Sequence, residues 1–156
     1  MKTGVVSAVD AATGKCRVQF ADQDNVESYW LPVLQRKTGQ DKCYHMPDVG
    51  EHVACLMDDH DEFGVIAGAF YSDADQPPAS SGDKFHMAFS DGTSLEYDRA
   101  SHTLTANIQG QAVITATGGV EIHGDLTVNG SITTTGDVNA SGRVIDGGGN
   151  TNHHTH

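Results

Sequence analysis

Residues 125–148 read DLTVNG SITTTG DVNASG RVIDGG, four consecutive six-residue units that each end in glycine. Leu126, Val128, Ile132, Val138 and Val144 fall at alternating positions, with Thr, Asn and Ser between them. Alternation with period two is the mark of an extended strand with one apolar face, and short tandem units are the mark of a solenoid whose rungs bury that face on their neighbours. One thin apolar strip per chain cannot enclose a core. A single chain closes a β-helix only with rungs several times longer than six residues. The simplest closed cross-section is therefore a prism of three chains, apolar side chains inward and hydroxyls outward, which also removes the free sheet edges. A homotrimer is expected, in preference to a lone solenoid with its apolar strip exposed.

The rest of the chain is also β in texture. No stretch has a sustained helical period with caps. The first half gives five strands, at 3–9, 15–21, 26–33, 51–57 and 64–71, with a long loop after the third. Five strands in about 70 residues fit a small Greek-key barrel of the OB type. Its expected core is Val5, Val18, Phe20, Trp30, Leu31, Val53, Leu56, Ile66 and Phe70, with Cys16 a buried small residue on the Val18/Phe20 face. Pro32 places its strand at an edge or ends it. Residues 73–83, DADQPPASSGD, are a linker too polar to fold alone. From Phe85 onward the strands are short and the turns regular. The expected organisation is an OB-fold domain at 1–72, the linker at 73–83, a β-helix at 84–142 and a tip at 143–156.

Composition narrows the partners. Only 37% of the chain is hydrophobic and 18 residues are glycine, so the core is small or shared. Nine Lys and Arg stand against 21 Asp and Glu, a net charge of −12, which repels phosphate backbones and anionic lipid; nucleic acid is discounted. No apolar run approaches the ~20 residues of a membrane-spanning helix. The N-terminus lacks the apolar core of a signal peptide, so synthesis in the cytoplasm is expected. Cys16, Cys43 and Cys55 are odd in number and contain no CxxC, against a disulfide framework or a thiolate zinc site.

The remaining signal is GGGNTNHHTH at 147–156. In an extended segment residues i and i+2 project to the same side, so His154 and His156 point together and Thr155 away. On a three-fold axis two histidines from each chain supply six imidazoles. That number suits an octahedral ion and favours iron over zinc, whose structural sites are usually four-coordinate. A filled shell leaves no open position for substrate, so the metal would be structural. His153 is out of phase. Gly147, Gly148 and Gly149 permit three backbones to converge, and Asp146 before them is a candidate cation ligand. A disordered tail, a tag remnant and a flexible glycine linker are the competing readings. Elsewhere, the acidic run Asp58–Glu62 lacks the D-x-D-x-D-G spacing of a calcium loop and reads as a solvated hairpin turn. His45, His52, His60, His86, His102 and His123 share no ligand spacing. No nucleophile elbow or paired-carboxylate arrangement is visible, and no enzyme activity is expected.

In order, TGVVSAVD with KCRVQF, SYWLPV, MPDVGEHV, GVIAGAFY, SDGTSLEYD, glycine-ended rungs and the terminal His154-Thr155-His156 resemble the phage baseplate assembly protein V family. These are the central spikes of contractile injection systems, related to R-type pyocin spikes and VgrG proteins. The resemblance covers essentially the whole chain. It implies an all-β trimer: an N-terminal OB-fold barrel seated on the tail-tube hub, then an intertwined trimeric β-helix needle with a metal-bound apex, driven through the host outer membrane by sheath contraction. It agrees with one iron per trimer held by His154 and His156. Some relatives hold calcium or chloride inside the tip, and no motif here locates such ions. The linker at 73–83 leaves no room for the lysozyme domain of larger relatives. The implied location is the baseplate tip of the virion. The alternative is a trimeric β-solenoid adhesin or tail fibre binding surface glycans, for which exposed aromatics on the needle are expected; the last 50 residues hold no Trp, Tyr or Phe. A metallohydrolase would need an open coordination site and a base beside it.

Overall fold

Turn chemistry sets where the first strands end. In the computed structural model, which describes residues 1–145, β1 (Lys2–Asp10) reverses into β2 (Lys15–Phe20) over DAATG. The Asp10 carboxylate accepts the Thr13 hydroxyl at 2.6 Å and the amides of Ala12 and Thr13 at 3.1 and 3.3 Å. The Thr13 hydrogen bond, chiefly, holds the Asp10 pKa below its ordinary value. Gly14 takes φ +69°, a conformation that costs glycine little.

The expected third strand divides into β3 (Val26–Glu27) and β4 (Leu31–Pro32), followed by β5 (His52–Met57) and β6 (Gly64–Ala69). The break has a local cause. The Ser28 hydroxyl accepts the Val18 amide at 2.9 Å and donates to the Tyr29 carbonyl at 2.7 Å, so a side chain takes over part of the ladder. Pro32 ends β4, as its missing amide requires.

The antiparallel order is β3-β2-β1-β5-β6, with β4 also on β2. Just past β4, Val33 bridges Ile66 of β6 in parallel, and the Leu34 amide donates to the Ile66 carbonyl at 2.9 Å. The segment thus bonds β2 on one side and β6 on the other and closes the sheet into the Greek-key barrel expected of an OB fold.

Val6, Cys16, Val18, Phe20, Leu31, Val53, Cys55 and Ile66 form the core. Four expected core residues are corrected. Val5 is half-buried because Val6 holds the inward phase of β1. Leu56 is 50% exposed because Val53 and Cys55 take the inner phase of β5. Trp30 lies outside, with the Arg17 guanidinium 5.2 Å from its ring centroid. Phe70, also exposed, follows β6 and tilts against His52 at 6.0 Å between ring centroids.

After residues 70–83, which hold no strand, β7 (Lys84–Ala88), β8 (Ser94–Asp98) and β9 (Thr103–Asn107) make an antiparallel meander. The chain divides into two units, one spanning Met1–Gln111 and the other beginning at Ala112. In the second unit no strand forms among the described residues, although QAVITA, VEIHG and the six-residue units carry strand patterning. Among the described residues those segments have no strand beside them to pair with.

Candidate functional site

Register fixes the faces of the meander. Phe85 pairs Tyr97, Met87 pairs Leu95, Tyr97 pairs Leu104 and Leu95 pairs Ala106, so these side chains share one face. Lys84, His86, Ser94, Glu96 and Asp98 lie on the other, opposite Thr103, Thr105 and Asn107. That polar face is knitted together. Glu96 accepts Lys84 Nζ at 2.8 Å through one oxygen and lies 2.8 Å from His86 Nδ1 through the other. The Lys84 bond first, then His86, holds the Glu96 pKa below the ordinary carboxylate range, and Glu96 raises that of Lys84. The Arg99 guanidinium clasps Asp83, and its amide donates to the Asp83 carbonyl at 2.9 Å, fastening the end of β8 to the start of β7. Among the described residues nothing covers the apolar face: Phe85 is 57% and Leu104 68% exposed.

The same condition holds in the second unit. Val113, Ile114, Val120, Ile122, Leu126, Ile132, Val138 and Val144 are all exposed, Val144 at 82%. A strip of Val, Leu and Ile on unpaired backbone is a surface built for association.

The sequence-predicted ligands His154 and His156 lie outside the described residues, together with His153, Asp146 and Gly147–Gly149. Among the described residues, no three His, Cys, Asp or Glu side chains gather as a metal cage. The scattered histidines have separate settings. His86 pairs Glu96, exposed His123 lies 3.3 Å from Glu121, and His102 occupies a left-handed turn position, φ +55°. His52 Nδ1 lies 3.3 Å from Ser72 Oγ and 3.6 Å from Asp75 Oδ2. Acid and hydroxyl thus share one ring nitrogen, whereas a nucleophile relay needs them on opposite nitrogens. The acidic run forms the expected hairpin turn: Asp58 Oδ1 accepts the amides of Glu62 and Phe63 at 2.9 and 3.3 Å, and Lys2 Nζ reaches Asp61 at 2.5 Å.

Sequence reasoning missed the one-sidedness of the meander. Its signal was present in the alternations Phe85/Met87, Leu95/Tyr97 and Leu104/Ala106, which become a face only when three strands are set in register.

Residues 2–71 match the type VI secretion system/phage-baseplate injector OB domain. The chain is also similar to the spike protein of Escherichia phage P2, 32% identical over 122 residues, which are 77% of this chain and 56% of that protein. It thus spans little more than half the length of that curated relative. The match in residues 2–71 coincides with the closed barrel, and the similarity to a spike protein extends well beyond the barrel's length, so the chain belongs to the phage-baseplate spike family.

Proposed function

We propose that the chain is a non-enzymatic central spike that works as a homotrimer. Its OB barrel sits on baseplate hub and tail-tube proteins, residues 84–142 wind with two further copies into a β-helix needle, and the needle is pushed through the host outer membrane when the tail sheath contracts. The spike belongs at the baseplate tip of the virion. One observation carries the reading: along residues 112–145 the apolar side chains stand in solvent and the backbone forms no strand, a state that copies of the same segment relieve by pairing and burial.

The apex is assigned to residues 143–156, with His154 and His156 as metal ligands. The fit rests on the donor set: two neutral imidazoles per chain give three copies six nitrogens, the number an octahedral iron takes. Such an ion supplies cross-linking and no reaction, because a full shell has no position for water or substrate. The chain's own part is mechanical. Thr, Ser and Asn face solvent, the branched aliphatics face the axis, and inter-chain ladders resist bending. Sedimentation mass combined with elemental analysis tests the reading. Three chains with one iron support it. A monomer removes the spike assignment, and iron far below one atom per trimer removes the metal apex.

A further inference from the structure

The six-residue units cannot set their own register. DLTVNG, SITTTG and DVNASG place aliphatic and hydroxyl residues so similarly that sliding one chain by six residues against another preserves the alternation. Pairing between chains is well specified only where a slip exposes apolar side chains. A device outside the repeats must fix the alignment.

The meander β7-β8-β9 has the needed properties. Its sequence does not repeat, and both of its strand pairings lie within one chain, so the face made by Phe85, Met87, Leu95, Tyr97, Leu104 and Ala106 exists before any partner arrives. The burial of its two faces is inverted: Glu96 and His86 side chains are only 24% and 19% exposed, while Phe85 and Leu104 stand mostly in water. What covers the apolar face follows from its surroundings. It carries no charge, since Lys84, Glu96 and Asp98 all lie opposite, so copies of a chain with net charge −12 can meet there without like charges in contact. The chain runs from it directly into residues 112–145, which carry strand patterning but form no strand. A second copy of this chain is the occupant that satisfies both.

We propose that copies first dock through this meander face, and that the docking sets the register in which the downstream repeats then wind. The proposal rests on the trimeric reading above. Refolding of the full chain from denaturant, followed by sedimentation and by the concentration dependence of the assembly rate, tests it. Leu95→Lys with Tyr97→Lys abolishes trimer formation while the barrel still shields Cys16 and Cys55 from thiol reagents. Leu104→Thr, which keeps strand propensity at an exposed position, slows the concentration-dependent phase about tenfold. Ile132→Lys leaves that phase at the wild-type rate and lowers only the final heat resistance. Trimers forming at the wild-type rate in the Leu95/Tyr97 or Leu104 variants overturn the proposal, as does an Ile132→Lys chain that no longer associates. A wild-type chain that stays monomeric overturns the trimeric reading itself.

Discussion

Gly4 shows how much one missing methyl matters in this barrel. A Cβ there would lie 2.5 Å from Val18 Cγ1 and 2.6 Å from the Gln19 carbonyl oxygen. The oxygen belongs to the backbone of β2, which pairs with β1, so relief requires the two strands to move apart. Gly4→Ala is expected to destabilise the domain by about 1–3 kcal/mol, the usual range for overpacking, read as a lower denaturation midpoint at unchanged slope. The three cysteines separate by burial in a similar way. Cys55 is buried and its thiol is pushed up to about 11; burial, with a smaller contribution from Glu51, also raises Cys16. The thiolate is the reactive form, so both are doubly protected, whereas Cys43 is exposed. A thiol reagent at mildly alkaline pH is expected to modify Cys43 alone in the folded chain and all three after denaturation, which mass spectrometry counts directly.

At the scale of the element, the Lys84–Glu96–His86 network makes the meander sensitive to acid. Pairing lowers the Glu96 pKa below its unfolded value, so its contribution is complete above the ordinary glutamate value of about 4.3 and is lost as pH falls through the lower folded value. Amide protection in β8 is expected to weaken over that acid range, and Glu96→Gln is expected to weaken it at neutral pH and flatten its acid dependence. Exposure keeps the effect modest. The elements themselves were legible in the sequence where turn residues bracket an alternating run, as in β1, β2, β5 and β6. Phase was harder. In TGVVSAV adjacent valines satisfy either phase, and only the pairing against β2, with its bulge between Val6 and Ala8, selects Val6. In HVACLM the choice of Leu56 followed hydrophobicity, while strand geometry buries Cys55. The division of the third strand depended on Ser28 hydrogen-bonding across to Val18, a contact that no local pattern announces.

The whole molecule turns on what one chain leaves undone. The barrel closes its sheet and its core within residues 1–72, and the meander pairs its three strands within one chain, but among the described residues the glycine-punctuated units form neither strand nor core. Their pattern was legible because it is local and repeated. Their partner surface was legible only by elimination, since a strip of Leu126, Ile132, Val138 and Val144 has nothing among the described residues to bury it. The two parts of the proposed spike then separate experimentally. In the proposed trimer, association would draw on apolar burial along residues 84–142 and on inter-chain ladders of the downstream units, whereas the proposed iron would touch only His154 and His156. Replacing both by alanine removes every imidazole from the proposed shell but no apolar contact in the needle. The double variant is therefore expected to sediment as a trimer with less than a tenth of the wild-type iron content. Its C-terminal residues should become accessible to carboxypeptidase, because three ends no longer cross-linked fray as chain termini do. A variant that retains the metal places the ligands elsewhere. A variant that falls apart into monomers makes the metal, and not the apolar strip, the main source of association.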